Sequence, residues 1–196
     1  MHFTLADLVA DITQNAAESG AGQVELELRE TGREAAAGGG LAEEFRFTIT
    51  DNGKGMDKTG LERAIDPFVT DGVKHPERKV GLGIPFLIQT AIQSGGGWDI
   101  KSEKGRGTMV SAWFDLANVD TPPLGDIPGL FRTVLLFMGP QEIIVRRFLD
   151  RGGRKADYEV KKTELVEALG DLEDASSLAL LGKYLRSFEE DEDDGK

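Results

Sequence analysis

The sequence has no cysteine and only two histidines in 196 residues. The absence of cysteine excludes disulfide bonds, thiolate nucleophiles and zinc sites built from cysteine. The two histidines, His2 and His75, are far apart in the sequence and leave little imidazole chemistry for catalysis or metal binding. The chemistry of this chain must therefore depend on carboxylates, amides, hydroxyls, basic side chains and the backbone.

Long apolar runs are also missing. No segment approaches the roughly 20 consecutive apolar residues that a membrane-spanning helix needs. The N-terminal segment MHFTLADLVADI carries acidic residues where a secretory signal peptide would carry positive charge. We therefore expect a cytoplasmic protein without a membrane partner.

Basic residues are outnumbered, with 23 Lys and Arg against 35 Asp and Glu, and the formal net charge is -12. Surfaces that bind nucleic acid need clustered Lys and Arg to contact phosphates, so we expect no nucleic-acid partner. The residues at positions 189–194 are all acidic. Mutual repulsion in such a block predicts that residues 189–196 form a disordered acidic tail.

Periodic patterns predict both helices and strands in the first 119 residues. Apolar residues in positions 4–18 recur at the spacing of one helix face. Further helices are predicted in DKTGLERAI and, after a glycine-led start, in PFLIQTAIQ, from Pro85 to Gln93. Alternation predicts strands in QVELELRE, EFRFTITD, WDIKSEK and GTMVSAWFDL. Adjacent strands interrupted by helices favour an α+β fold, with one mixed or antiparallel sheet and helices on one face.

The other segments predict a loop and a second unit. Residues 66–80 have no sustained period and form a predicted loop that is long enough to be a lid. A proline-rich boundary near residue 120 precedes a predicted small α+β appendage of unknown role over residues 120–188. Five basic residues in its predicted strand hairpin are expected to form a solvated face: Arg146, Arg147, Arg151, Arg154 and Lys155.

The segment FTITDNGKGMD joins a strand pattern to an Asn-Gly pair, which by itself indicates a hairpin turn. Familiar glycine motifs do not fit the chain. The segment GLGIPF has Phe86 where the dinucleotide fingerprint needs a third glycine, and no phosphate loop of the GxxxxGK[ST] type occurs. The segment DNGKGM lacks the oxygen ligands and the final glutamate of a calcium loop.

Four short motifs nevertheless occur in a fixed order along the chain. The first motif is Asn15 on the first helix, and the second is Asp51, Gly53 and Gly55 at the end of the second strand. The third motif is Gly81 and Gly83 at the start of the third helix, and the fourth is Gly105, Gly107 and Thr108 at the start of the fourth strand. Over roughly residues 3–116 they resemble the N box, DxGxG box, GxG box and closing GT of the GHKL superfamily, the gyrase, Hsp90, histidine-kinase and mismatch-repair group. The resemblance implies a two-layer α/β sandwich of the Bergerat type over residues 1–119, with ATP and Mg²⁺ as cofactors.

The resemblance also implies roles for the motif residues. Asp51 would accept the exocyclic N6 hydrogen of adenine and so exclude guanine, and Thr108 would support that carboxylate through its hydroxyl or a water. Gly53 and Gly55 would let the backbone pass close to the base and ribose. Gly81 and Gly83 would free backbone amides for phosphate at a helix start. The alternative for these two glycines is plain helix capping.

Two side chains of the first helix would serve the metal and the chemistry. Asn15 would bind Mg²⁺ through its carboxamide oxygen. Asp11, one turn earlier, stands where hydrolysing members of the superfamily carry a glutamate as general base. Since aspartate is shorter by about 1.5 Å, Asp11 would act through a second water or only orient the Mg²⁺ shell, unless it is an ordinary solvated acid.

The predicted lid contributes further candidates. Phe68 would hinge or plug the lid, and Lys74, Arg78 or Lys79 would supply positive charge to the γ-phosphate. The residues predicted to bind the cofactor are Asn15, Asp51, Gly53, Gly55, Met56, Phe68, Lys79, Gly81, Leu82, Gly83 and Thr108.

Signals for a particular subfamily disagree. Sensor kinases place a basic residue where this chain has Glu18, and the stretch NAAESGA is more similar to the mismatch-repair pattern. By contrast, DPFVTD and GLGIPFLIQTAIQSGGGWDIKSEKGRGT resemble the F box, lid and GxG region of histidine kinases. Because the first helix begins near residue 4, we expect no phosphoacceptor hairpin before it. We therefore expect a stand-alone bacterial protein that transfers the γ-phosphoryl group to a protein partner in trans or to water. A homodimer is one possible form of this protein. The alternative is a non-catalytic module in which ATP gates partner binding.

Overall fold

The computed structural model describes residues 4–32, 43–66 and 83–189. The helices in these residues are α1 (Leu5–Ala17), α2 (Lys58–Ile65), α3 (Gly83–Gln93), α4 (Ile127–Leu135), α5 (Lys162–Leu169) and α6 (Ala175–Ser187). The strands are β1 (Gln23–Gly32), β2 (Glu43–Asp51), β3 (Gly97–Glu103), β4 (Gly107–Asp115), β5 (Glu142–Arg151) and β6 (Arg154–Lys161). Among the described residues, no helix combines the length and the apolar character that crossing a bilayer requires.

The strands form one mixed sheet in the order β3-β4-β2-β1-β5-β6. All neighbouring strands are antiparallel except β1 and β5, which run parallel from the Gln23 and Glu142 pair onwards. Helices cover one face of this sheet, and inward residues of the strands join them in one hydrophobic core. The predicted α+β class is therefore confirmed.

Sequence alternation determines which face of each strand is buried. Leu26 and Leu28 of β1 and Phe47 of β2 are fully buried under the helices. Residues between them, such as Glu27 and Arg46, lie on the opposite face and are half-buried. Helix α1 begins at a capping box in which the Thr4 side chain accepts a hydrogen bond from the backbone of Asp7.

The predicted C-terminal unit contains the expected helices and strand hairpin, but it completes the same sheet. Strand β5 pairs with β1 over residues 142–150, and α4 packs against α1. The hydrophobic core continues across residue 120, since Phe131 and Val145 belong to the same cluster as Leu8. A boundary near residue 120 stays a prediction, but the segment that follows it is structurally continuous with the first half.

One of the five basic hairpin residues, Arg147, departs from the solvated face that the sequence predicts. The strand register places Arg147 on the helix-covered face with Val145, and Arg147 is only 2% exposed. Its Nη2 atom donates to Glu30 Oε2 at 2.7 Å, and its Nε atom donates to Glu189 Oε1 at 2.9 Å. The expectation was wrong for this residue because the pleat, and not the charge, determines which way its side chain points.

Arg147 belongs to a buried charge cluster, formed with Glu30, Arg151, Tyr158 and Glu189. Arg151 Nη1 donates to Glu30 Oε1 at 2.7 Å, and the Tyr158 hydroxyl donates to Glu189 Oε1 at 2.9 Å. Burial would raise the pKa of Glu30, but hydrogen bonds from Arg147 and Arg151 outweigh it and lower that pKa. Glu189 therefore belongs to the folded structure, although the sequence predicts it as the start of the tail. Residues 190–196 lie outside the described residues.

The buried charge cluster should make Arg147 much more important for stability than its neighbour Arg146. We expect Arg147→Ala to lower the free energy of unfolding by about 3 kcal/mol, because two carboxylates would lose their buried partner. Arg146 pairs with Glu25 and Glu159 on the opposite face, with its side chain 39% exposed. Arg146→Ala should cost about 1 kcal/mol or less. Urea unfolding followed by circular dichroism measures both, and equal losses would contradict the assignment.

The same cluster should make stability depend on pH. The pKa of Glu30 is lower in the folded chain than in the unfolded one. Its contribution is therefore complete above the unfolded pKa and is lost as the pH falls through the folded pKa. We expect the difference in unfolding free energy between wild type and Glu30→Gln to shrink as the pH falls from about 7 to about 3. A difference that stays constant over this range would exclude Glu30 as the titrating group.

Candidate functional site

The motif residues of the first half meet at one edge of the sheet. Strand β2 ends there at Asp51, which pairs with Thr108 at the start of β4 on one side and with Val24 on the other. The turn that follows α1 reaches the same edge, because Ser19 O accepts a hydrogen bond from Lys54 N at 3.1 Å. The sheet thus places the DxGxG segment between the end of α1 and the turn that joins β3 to β4.

The Asp51 carboxylate is held from one side. Asp51 is 7% exposed, and its Oδ1 atom accepts hydrogen bonds from Gly53 N at 2.8 Å and from Ser19 Oγ at 3.0 Å. No described residue donates a hydrogen bond to the second oxygen, Oδ2. Two donors thus fix the orientation of the group, and Oδ2 has an acceptor position that no described residue uses.

Further hydrogen bonds fix the loop that follows Asp51. Lys54 O accepts from Gly105 N at 2.7 Å, and Met56 N donates to Ser102 Oγ at 2.8 Å. The loop is therefore attached to the β3–β4 hairpin as well as to α1.

The side chain of Asn52 connects this loop to the other half of the sheet. Its Oδ1 atom accepts from the backbone nitrogens of Gly22 at 2.9 Å and Gln23 at 3.0 Å. The carbonyl oxygen of Gly22 in turn accepts from Gln141 N at 2.9 Å and Glu142 N at 3.1 Å. Two successive hydrogen bonds through Gly22 therefore connect Asn52 to the start of β5.

Packing within the chain explains the glycines of this loop. A Cβ atom on Gly53 would lie 1.9 Å from Ser19 Oγ, and one on Gly55 would lie 2.0 Å from the carbonyl oxygen of Glu103. Gly55 also has a φ of 57°, which favours glycine. The sequence interpretation assigned both glycines to close approach by a nucleotide, but these contacts require glycine whether or not a ligand is bound.

The structure brings Asn15 and Gly83 together. A Cβ atom added to Gly83 would lie 3.4 Å from Asn15 Nδ2, so the carboxamide of α1 faces the first residue of α3. Asp11 lies one turn earlier on α1, and both Asp11 and Asn15 are exposed. The side chain of Asp11 forms no hydrogen bond or ion pair with another described residue. These positions agree with a polar site between the two helices.

Among the described residues the Thr108 hydroxyl contacts a serine and not Asp51, and the expected support of Asp51 through a water stays a prediction. The Thr108 hydroxyl lies 2.9 Å from Ser102 Oγ, and Ser102 also donates to the carbonyl oxygen of Gly107 at 3.2 Å. Ser19 is the hydroxyl that contacts Asp51 directly. Sequence reasoning missed both serines, although Ser19 could have been considered because it follows the first helix four residues after Asn15.

Several predicted site residues lie outside the described residues and remain predictions. They are the lid and GxG candidates Phe68, Lys74, Arg78, Lys79, Gly81 and Leu82.

The described residues form an α/β sandwich with polar residues gathered at one end of the central strands. Comparison with known families identifies the class of protein. Residues 3–118 match the model of the family described as "Histidine kinase-, DNA gyrase B-, and HSP90-like ATPase". This match covers more than half of the chain, so the chain belongs to that family and is an ATP-binding module of the GHKL type. The resemblance inferred from the four motifs is confirmed.

Individual relatives cover the chain only in part. A stretch of 74 residues is 35% identical to the "Putative sensor protein" of Shewanella frigidimarina (strain NCIMB 400), which represents 38% of this chain and 11% of that protein. A solved histidine kinase domain, from the blue-light activated histidine kinase of Erythrobacter litoralis EL346, is 19% identical with a TM-score of 0.34. That similarity covers 58% of this chain and 44% of the other. The chain therefore spans less than half the length of either protein.

Two neighbouring glycines allow the site geometry to be tested. Gly105 and Gly107 both have positive φ, at 81° and 111°, but a Cβ atom would meet nothing within 4 Å at Gly105 and would lie 1.9 Å from Asp51 O at Gly107. We expect Gly105→Ala to lower the free energy of unfolding by about 1 kcal/mol. Gly107→Ala should cost clearly more and weaken ATP binding, because it separates β4 from the end of β2. Thermal unfolding and calorimetric titration with ATP measure the two effects, and identical behaviour of the variants would contradict this geometry.

Proposed function

We propose that this protein binds Mg²⁺-ATP with its adenine at Asp51 and transfers the γ-phosphoryl group to a partner protein in trans or to water. The observation that carries the proposal is the Asp51 carboxylate, with Oδ1 held by two donors and Oδ2 without a partner among the described residues. The proposal includes a cytoplasmic location and the possibility of a homodimer.

The chemistry of Asp51 suits adenine. A fixed carboxylate oxygen is an acceptor, and the exocyclic amino group of adenine is a donor. Guanine carries a carbonyl oxygen at the same ring position and would leave two acceptors facing each other. An acceptor oxygen on a largely buried residue, without a partner among the described residues, therefore supports discrimination in favour of adenine nucleotides.

The arrangement of α1 and α3 suits phosphate and a divalent cation. The N-terminus of a helix favours negative charge, and Gly83 begins α3 beside the Asn15 carboxamide. Amide and carboxylate oxygens are ligands that Mg²⁺ accepts, so Asn15 would hold the metal and Asp11 would orient its water shell. The bound Mg²⁺ would supply neutralisation of phosphate charge.

Asp11 is the candidate general base of the proposal. It is exposed, it has no partner among the described residues, and it lies about 6 Å along the helix axis from Asn15 by the rise of an α-helix. Its role would be to accept a proton from a water or to fix that water in place.

One observation favours a second function, a non-catalytic module in which bound ATP changes partner binding. Glu18 caps the C-terminal end of α1, is exposed, and accepts a hydrogen bond from Gln14 Nε2 at 2.8 Å. An acid three residues after Asn15, the proposed Mg²⁺ ligand, supplies no positive charge to the phosphates, which agrees with a module that binds ATP without transferring phosphate.

Labelled ATP separates the two functions. Purified protein would be incubated with γ-labelled ATP and Mg²⁺, alone and with bacterial lysate, as wild type, Asn15→Ala, Asp11→Asn and Gln14→Ala. We expect phosphate release or a labelled protein with wild type and its loss in Asn15→Ala, because the metal ligand is removed. Gln14→Ala is the matched control, since it removes a neighbouring exposed amide of the same helix. Thin-layer chromatography and autoradiography detect the products.

Each result of this experiment has a defined meaning. ATP binding without phosphate release or a labelled partner would reject transfer and favour the gating module. Equal loss of activity in Asn15→Ala and Gln14→Ala would reject Asn15 as the specific metal ligand.

A further inference from the structure

We infer that Ser19 is the positioning residue that determines the adenine specificity of this site. The inference depends on the proposed adenine contact of Asp51. Ser19 does not belong to any of the four motifs. Among the described residues, however, it is the only one whose side chain donates a hydrogen bond to the Asp51 carboxylate.

The backbone of Ser19 is held on both sides. Its nitrogen donates to Ala16 O at 3.2 Å in the turn that ends α1, and its carbonyl oxygen accepts from Lys54 N at 3.1 Å. The position of the hydroxyl is therefore determined jointly by the helix and by the loop that follows Asp51.

The hydroxyl complements a backbone donor on the same carboxylate oxygen. Ser19 Oγ and Gly53 N both donate to Asp51 Oδ1, at 3.0 Å and 2.8 Å. The terminal torsion of an aspartate is otherwise broad and roughly two-fold. With both donors in place the carboxylate has one orientation, which directs Oδ2 away from Ser19 as the acceptor for a ligand amino group.

The close approach of Ser19 also explains why position 53 is glycine. A Cβ atom there would lie 1.9 Å from Ser19 Oγ, 2.7 Å from Ser19 Cβ and 2.9 Å from Asp51 Oδ1. Any side chain at position 53 would displace the hydroxyl from the carboxylate. Ser19, Asp51 and Gly53 thus form a three-residue clamp, and the DxGxG motif contributes only two of its members.

The hydrogen bond from Ser19 should affect the selectivity for adenine, whereas a hydrogen bond that only stabilises the fold should weaken all nucleotides equally. If Ser19 acts through Asp51 on the 6-amino group, its removal should affect only ligands that carry this group. Purine riboside triphosphate has the same ribose and phosphates as ATP but lacks the amino group. The ratio of the two affinities is therefore a direct measure of the orienting function.

The experiment measures the dissociation constants of ATP and purine riboside triphosphate for the full chain by calorimetry. We expect Ser19→Ala to weaken ATP binding about five- to tenfold, the effect of one ordinary hydrogen bond, and to leave purine riboside triphosphate within about twofold. Ser19→Thr keeps the hydroxyl and should restore much of the preference for ATP. Thr48→Ala is the matched control, because it removes a hydroxyl of β2 that pairs with Ser111 instead.

Asp51→Asn distinguishes failure of this inference from failure of the proposed function. If Asp51→Asn leaves the ratio of the two affinities unchanged, the adenine contact itself is wrong. If Asp51→Asn removes the preference for ATP but Ser19→Ala retains it, the role of Ser19 is overturned and the adenine site stands. Equal weakening of both nucleotides in Ser19→Ala would assign Ser19 a merely structural role and also overturn the inference.

Discussion

The double pairing of β1 is the interaction on which the rest of the structure depends. On one side β1 pairs antiparallel with β2, which carries Asp51, and on the other it pairs parallel with β5. The inward side chains of all three strands enter one core beneath the helices. The edge of the sheet that holds the candidate site is therefore built by both halves of the chain.

Much of this arrangement could be predicted from sequence because its signals are local. Alternating apolar residues identify β1 and β2, and the spacing of Leu5, Leu8 and Ile12 identifies α1. The parallel partner of β1 could not be predicted, since nothing in QVELELRE indicates which distant strand lies beside it. Arg147 was misjudged for a related reason: the strand pleat turns it inward, and the partners that compensate its buried charge, Glu30 and Glu189, are far away in the sequence.

In the candidate site, too, local motifs could be recognised in the sequence, whereas contacts that depend on the folded chain could not. The motifs identified the positions of Asp51, Asn15 and Gly83, and the fold brings the last two into contact range. The motifs did not indicate Ser19, because its importance comes from a turn that returns the chain to β2. Glycine positions were the least informative, since Gly53 and Gly55 are required by neighbouring protein atoms as much as by any nucleotide.

The attachment of β5 through Gly22 and Gln23 means that the family match does not coincide with a physical unit. A chain shortened to end at residue 118, where the match ends, would leave β1 as an exposed edge with unpaired amides and carbonyls. Exposed strand edges of this kind can form hydrogen bonds with strands of other chains and so promote aggregation. It would also uncover the apolar side of α1 that faces α4. The C-terminal half therefore covers the outer side of β1 and the apolar side of α1 within the same chain, so both are buried without a second subunit.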